Sequence, residues 1–265
     1  MTKATTPGAG ASRRVLITGA SSGIGAALAR HYAAGGATLG LVARREAALR
    51  DLAASLPVPC ATYALDVTDA AGLHAAAADF RQRFGLPDVV IANAGVSVGT
   101  LTECEEDLPA FRRVMDVNVF GMAATFAPFA AAMKARGSGR LVGIASVAGI
   151  RGLPGAEAYS ASKAAAIAYL ESLRLEMRGS GVRVVSILPG YIDTPMTEVN
   201  PYPMPFLLNA DNAARRFARV IEAGRSRAVI PWQMGIVAKV LRALPNWAYD
   251  RLFAGAPRKP RGRGR

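Results

Sequence analysis

Short apolar runs alternate along the chain with longer stretches in which alanine and leucine recur among charged residues. The apolar runs at 14–18 (RVLIT), 38–43, 60–65, 88–92, 140–145, 183–188 and 228–230 predict strands. The first reads as a buried strand. Between them, 26–34, 46–55, 70–84, 111–134 and the stretch carrying Tyr159 and Lys163 predict helices. Residues 164–171 (AAAIAYLE) are rich in helix formers, which supports the last of these. Pro128 is expected to kink 111–134. Strands alternating with helices give parallel βαβ units with right-handed crossovers, hence an α/β protein. There is no internal repeat beyond that alternation and no linker dividing the chain. One doubly wound domain is expected over 13–231.

The 265 residues suffice for a single α/β domain with a large core. Hydrophobic residues make up 51%, which excludes a disordered chain. Only Cys60 and Cys104 are present, too few for a disulfide framework, which points to a reducing cytosol. Cys–His zinc spacing is absent, so no metal is expected; His31 and His74 fall in predicted helices and read as surface or packing residues. No apolar run reaches the ~20 residues of a membrane span, and 1–12 reads as a disordered leader. The net charge of +13 would suit nucleic acid or anionic lipid. Part of it crowds into 257–265, where Arg258, Lys259, Arg261, Arg263 and Arg265 stand among Pro and Gly. That end reads as a flexible basic tail, and no recognised nucleic-acid motif accompanies it.

Candidate chemistry gathers at the carboxyl ends of the predicted strands, where such sheets bind ligands. Gly19-Ala20-Ser21-Ser22-Gly23-Ile24-Gly25 follows the first strand and precedes a helix. The first glycine permits a tight turn, and the others let a pyrophosphate approach backbone N–H groups at the positive helix end. The spacing is Gly-x-x-x-Gly-x-Gly, not the commoner Gly-x-Gly-x-x-Gly. The second strand ends in Ala43-Arg44-Arg45 without an acid. An acid there would hold a ribose 2′-hydroxyl, whereas an arginine accommodates a 2′-phosphate, so NADP(H) is expected. Arg44 is the candidate phosphate ligand; Arg45 reads as facing solvent. Asp66 either accepts from an adenine amino group or begins the next helix. Asn93 either holds neighbouring backbone or meets the cofactor ribose. Asn118 lies inside a predicted helix among Val117, Val119 and Phe120, and a buried asparagine there needs partners. Ser146 either donates to a substrate oxygen or closes a turn.

Tyr159 and Lys163, four residues apart, share one helix face. A free phenol has a pKa of about 10, and a neighbouring ammonium favours the phenolate. A shift of about three units requires about 4 kcal/mol, much of which a close cation in a partly desolvated cleft can supply. The pair is therefore an acid/base candidate near neutral pH, although the same spacing also occurs on ordinary solvated faces.

Together, Thr18-Gly19-Ala20-Ser21-Ser22-Gly23-Ile24-Gly25, Asn93-Ala94-Gly95, Asn118, Ser146, Tyr159-x-x-x-Lys163 and Pro189-Gly190 resemble the short-chain dehydrogenase/reductase family, over about residues 13–231. The resemblance implies a Rossmann-like, doubly wound domain with a seven-stranded parallel sheet and helices on both faces. It implies hydride transfer between nicotinamide and a carbonyl or alcohol. Tyr159 is then the acid/base, and Ser146 bonds the substrate oxygen. Lys163 binds the nicotinamide ribose and depresses the Tyr159 pKa, and Asn118 holds a water in a proton relay. By the same resemblance Gly19, Ser21, Ser22, Gly23, Ile24 and Gly25 line the phosphate end, and Asp66 and Val67 meet adenine. Asn93, with Ala94 and Gly95, meets ribose; Arg44 meets the 2′-phosphate. Ile192 and Thr194, after Pro189 and Gly190, hold the carboxamide.

Beyond the sixth strand, 196–208 carries Pro201, Pro203 and Pro205 among Tyr202, Met204, Phe206, Leu207 and Leu208. Three prolines limit regular structure. The apolar side chains predict either a lid over about 191–209 or a loop packed permanently on the core, and a lid favours a hydrophobic substrate. Residues 232–256 are apolar at helical spacing with interspersed cations, a departure from the shortest family members. Such an end can lie on a membrane surface, cover the substrate mouth, or pack on the core or a second subunit; packing is preferred. Alanine-rich helix faces, with the resemblance, imply a homodimer or homotetramer. The reading is a cytoplasmic NADP(H)-dependent carbonyl reductase. Its rivals are a 3-oxoacyl thioester (acyl-carrier) reductase, a catalytically silent dinucleotide sensor and a nucleic-acid binder.

Overall fold

The computed structural model of the protein describes residues 12–200 and 202–261. The expected leader therefore lies outside the described residues except for Ser12, as do 262–265 of the expected tail. Strand β1 (Arg14–Thr18) is buried along all but its first residue. Strands β2 (Thr38–Ala43) and β4 (Val89–Ala92) are likewise almost wholly buried. Continuous runs of Val, Ile and Leu suit strands covered on both faces. With β3 (Cys60–Ala64), β5 (Gly139–Ile144), β6 (Val182–Pro189) and β9 (Arg227–Ile230) they form one seven-stranded sheet. The order is β3-β2-β1-β4-β5-β6-β9, and every pairing is parallel. Two short strands, β7 (Ile192–Asp193) and β8 (Leu208–Asn209), pair apart from it.

Helices cover both faces, and the period of two along a strand decides which residue meets which layer. Val15 and Ile17 of β1 point into a core closed by α1 (Gly23–Ala34), α2 (Glu46–Ala54) and α7 (Ala210–Glu222). Leu28 of α1 and Phe217 of α7 are both fully buried there. Leu16 of β1 faces the opposite core, closed by α3 (Ala70–Phe84), α5 (Gly121–Arg136) and α6 (Glu157–Glu176). Phe80, Phe126 and Phe129 fill that side.

From β1 the chain winds outward to β2 and β3, then returns to place β4 on the other side of β1. Connections leave in opposite directions at this switch, and a crevice opens beyond the carboxyl ends of β1 and β4.

The expected helix 111–134 is helical throughout but not α-helical throughout. It divides into α4 (Leu108–Met115), a π-type turn at Asp116–Phe120, and α5. The interruption lies at Asn118, while Pro128 sits inside α5. A π turn lets one residue leave the helical register, and Asn118 has bonding partners outside the helix. The helical stretch Glu105–Arg136 is long and apolar enough to cross a bilayer, yet half of its apolar window is buried within the protein.

Residues 232–256 begin with α8 (Trp232–Ala243) and α9 (Asn246–Phe253), and one side of this pair packs on the core. Arg151 donates to the carbonyls of Leu241 and Leu244, both at 2.6 Å, and its guanidinium lies 4.0 Å from the Tyr249 ring centroid. The described part of the expected flexible tail is docked instead. Arg261 Nε and Nη2 bond both carboxylate oxygens of buried Asp107 at 2.8 and 3.0 Å, and Nη2 also bonds Glu106 at 2.8 Å. A bidentate guanidinium–carboxylate pair is strong enough to hold a chain end that composition alone marks as loose.

Candidate active site

The turn after β1 is built by close approach. Gly19 has φ +67, and a Cβ there would lie 2.8 Å from Ala94 Cα. A Cβ on Gly25 would lie 2.2 Å from the Gly19 carbonyl oxygen, so only glycine lets α1 start against this turn. Helix α1 begins at Gly23, earlier than the sequence indicates; no side chain caps it and its first turn holds no acid. Its N-terminal N–H groups are thus left for an anion, in the field of the helix dipole.

Asn93 fastens this turn. Its Nδ2 donates to the carbonyls of Thr18 at 3.0 Å and Gly19 at 3.2 Å. Its Nδ2 thus performs one of the two roles open to it, holding backbone, while the residue also lines the cavity. Buried Thr18 reciprocates, its Oγ1 accepting from the backbone N–H groups of Asn93 and Ala94, both at 3.2 Å. Sequence reasoning gave Thr18 no role of its own; a lone hydroxyl closing an aliphatic strand was the signal.

At the outer end stand Arg44, Arg45, Asp66 and Arg113. Asp66 accepts from Thr68 N at 3.0 Å, Thr68 Oγ1 at 2.9 Å and Arg113 Nη2 at 2.5 Å, with Arg44 at 3.9 Å. Burial by itself would raise its pKa, but the bonds from Thr68 and Arg113 prevail and hold the carboxyl below its ordinary value. It does not cap α3; Asp69 does, accepting from Gly72 N at 2.9 Å. Arg45 does not simply face solvent, because its Nη2 reaches Ser21 Oγ at 3.1 Å across the glycine-rich turn. Arg113 was missed: Arg112 beside it pairs with Asp116 on the surface, and nothing local separates the two arginines. Three guanidinium groups against one carboxylate leave this end cationic.

At the inner end, Ser146 ends the loop after β5 and Tyr159 and Lys163 come from α6. Ser146 Oγ accepts from Ala148 N at 3.2 Å, closing a short turn, and lies near enough to the Tyr159 hydroxyl to draw its pKa down. Lys163 is 5% exposed and donates to the Ile144 carbonyl at 3.0 Å. Its Nζ lies 5.7 Å from the Tyr159 ring centroid. The expected depression of the phenol by this amine is corrected here. Burial pushes the Tyr159 pKa above its ordinary value, with the Ser146 bond pulling the other way. Burial also pushes the Lys163 amine down to about 8. Desolvation acts against the charged form of each.

Asn118 is fully buried and does not reach the cavity. Its Oδ1 accepts from Val96 N at 2.8 Å, and its Nδ2 donates to Val96 O and Ser162 Oγ, both at 2.9 Å. Both amide protons are engaged within the protein, so a water held by this side chain would have to donate to Oδ1, which keeps a second lone pair. It ties the loop after β4 to α6.

One cavity of about 550 Å³ connects the two ends. Gly19, Ser21, Ser22, Gly23, Ile24, Arg44, Asp66, Val67, Asn93, Ala94 and Gly95 line it, with Ser146, Tyr159, Lys163, Pro189, Gly190, Ile192 and Thr194. Gly25 and Asn118 are not among its lining residues. Pro195 and Met196 of the 191–209 segment also line it, and Tyr202 of that segment is near enough to Tyr159 to feel its charge. No cluster of metal-ligating side chains exists among the described residues. A glycine turn on an uncapped helix start, a cationic outer end and a tyrosine–lysine inner end fit a dinucleotide whose phosphates lie outward.

Comparison with known proteins agrees with this geometry. The family model described as short chain dehydrogenase matches residues 13–202. An uncharacterized oxidoreductase of Myxococcus xanthus (strain DK1622) is 40% identical over 242 residues, covering 90% of this chain and 95% of its own. A 2-dehydro-3-deoxy-L-rhamnonate dehydrogenase (NAD(+)) of Sphingomonas sp. (strain SKA58) is 36% identical over 193 residues, 72% of this chain and 76% of its own. The crystal structure of a short chain dehydrogenase from Burkholderia cenocepacia J2315 in complex with NADP superposes with a TM-score of 0.79 at 28% identity. It covers 91% of this chain and 97% of that one. With the sheet order, the glycine turn and the Ser146–Tyr159–Lys163 cluster already in place, these matches mean that the chain is an oxidoreductase belonging to the short-chain dehydrogenase/reductase family.

Proposed function

We propose that the protein is an NADP(H)-dependent carbonyl reductase acting on a substrate with a hydrophobic body. The observation that carries this reading is the single cavity with arginines at one end and Ser146, Tyr159 and Lys163 at the other. Arg44 and Arg45 would hold a 2′-phosphate, Arg113 would steady Asp66 beside it, and the start of α1 would take the pyrophosphate. Bound nicotinamide would supply the hydride. When a carbonyl is reduced, negative charge develops on its oxygen. Ser146 and Tyr159 would donate hydrogen bonds there, and Tyr159 would then give up its proton. A phenol raised by burial is fully protonated near neutral pH, which suits the donor of a reduction. Lys163 remains mostly charged near neutral pH and lends a positive field to the developing oxyanion. Met196, Val199, Phe206 and Leu207 leave the lid apolar and exposed, which supports a hydrophobic substrate. A silent sensor has no need of the three residues that meet at the inner end.

The test is a panel of ketones and aldehydes scored by NADPH and NADH consumption in wild type and Tyr159→Phe. Turnover is expected with NADPH in preference, and to fall in the variant by at least about a hundredfold with NADPH affinity retained. Near-normal turnover by Tyr159→Phe overturns the acid role. A clear preference for NADH overturns the role given to Arg44 and Arg45.

A further inference from the structure

Residues 258–261 run beside Gly99 in the loop after β4, and Lys259, at 9% exposed, is buried behind the cavity wall without lining the cavity itself. Its Nζ donates to Ser97 Oγ at 2.9 Å and to the Met196 carbonyl at 3.4 Å. Both partners line the cavity, Ser97 from the loop after β4 and Met196 from the lid. Both acceptors are neutral oxygens, and Arg261 engages the nearby carboxylates of Glu106 and Asp107. Burial alone accounts for the amine being pushed down to about 8. An ammonium has three donors, so one remains after these contacts. Ser97 Oγ accepts from Lys259, and among the described residues its own proton has no acceptor. A hydroxyl polarised by a cation is a stronger donor than an isolated one. Val96, Val98 and Pro195 make the surrounding wall apolar. A buried cation among neutral groups is costly, and an incoming anion relieves that cost.

We propose that Ser97 and Lys259 form an anion subsite at the cavity mouth, so that the substrate is a carbonyl compound with an apolar chain and a carboxylate remote from the reacting carbonyl. The inference rests on reading the cavity as the place of carbonyl reduction. Ser97 donates to one carboxylate oxygen, and Lys259 neutralises the charge from behind. The segment 258–261 then selects the substrate, held in place by Arg261.

Calorimetry on the full chain loaded with NADPH tests this, using straight-chain carboxylates from butanoate to dodecanoate, each beside its methyl ester. At the best chain length the acid is expected to bind at least about tenfold tighter than the ester, the scale of a charge-assisted hydrogen bond. In Lys259→Met that ratio falls to near unity, and Lys259→Arg keeps it. Ser97→Ala, which leaves Lys259 and the Arg261 anchor in place, lowers it severalfold. Matched oxo-acids and oxo-esters repeat the ratio in kcat/KM, through KM. Equal affinity of wild type for acid and ester overturns the subsite. So does a ratio undiminished in Lys259→Met, or a loss of acid and ester binding in equal proportion. If the acid preference holds but no carbonyl is ever reduced, the reductase reading fails and the subsite stands.

Discussion

Lys163 is held at about 8 against an ordinary value of 10.5, and burial is the cause. The sign of its linkage follows. Below about 8 the amine is charged in the folded and the unfolded chain, and the cost of burying that charge is fully present. Between about 8 and 10.5 the folded amine has released its proton while the unfolded one keeps it. The unfolded state then binds more protons, so stability rises with pH across that window and is lost again as pH falls towards 8. Lys259, also held at about 8, acts in the same direction. Buried phenols such as Tyr159 reverse the slope above about 10, because the unfolded phenol ionises first. The urea midpoint of the wild type is therefore expected to rise between pH 8 and pH 10, and the rise should be smaller in Lys163→Met. An identical rise in the variant would mean that Lys163 titrates normally. The tyrosine–lysine pairing itself is legible from a spacing of four. The direction of its pKa shifts is not, because it comes from burial, and the partner that Lys163 meets there, the Ile144 carbonyl of β5, lies 19 residues away.

Elements were more legible than their joints. Central strands buried on both faces are nearly unbroken apolar runs, and the partly exposed edge strands β3 and β9 are still short apolar stretches, so all seven of the main sheet could be read directly, within a residue or two at their ends. The π turn could not, because Asn118 leaves the helical register to bond Val96 and Ser162, which lie 22 and 44 residues away. Arg113 and Lys259 were hidden for the same reason, their partners Asp66 and Ser97 being remote in sequence. The glycine turn is the opposite case, since its spacing dictates its geometry. Gly25→Ala puts a methyl against the carbonyl of Gly19, a backbone atom that cannot swing aside as a side chain can. Forcing the turn from α1 is expected to cost about 1–3 kcal/mol of stability, as overpacking does, and to weaken NADPH binding together with it. A urea midpoint and a calorimetric titration check both. A Gly25→Ala protein with unchanged NADPH affinity would show that the start of α1 is not where the phosphates sit.

On the scale of the whole molecule, the described residues expose two groups of apolar side chains besides the 191–209 segment, and charge separates what each can do. On α8 and α9, Trp232, Ile236, Val240 and Trp247 face outward. Arg216, Arg219 and Arg225 line a groove that ends at Trp232. A two-fold contact through that surface would bring like charges together, because each residue meets its own environment in the partner. The second is the exposed side of α4, the π turn and α6, which pack against one another and leave Leu108, Phe120 and Leu175 each at least half exposed along it. Its neighbouring charges are largely self-compensated, Arg112 with Asp116 and Arg227 with Glu171. Apolar side chains ringed by neutralised pairs suit a copy of the same surface, as a homodimer or homotetramer requires. Light scattering after size exclusion is therefore expected to give a multiple of the chain mass for wild type and for Trp232→Glu. Phe120→Glu and Leu175→Glu should lower that mass, since a carboxylate buried against its own symmetry mate has nothing to pair with. A monomeric wild type would remove the contact altogether, whereas an assembly that survives both of those changes but not Trp232→Glu would move it to the C-terminal helices and require an anion to bridge the arginines there.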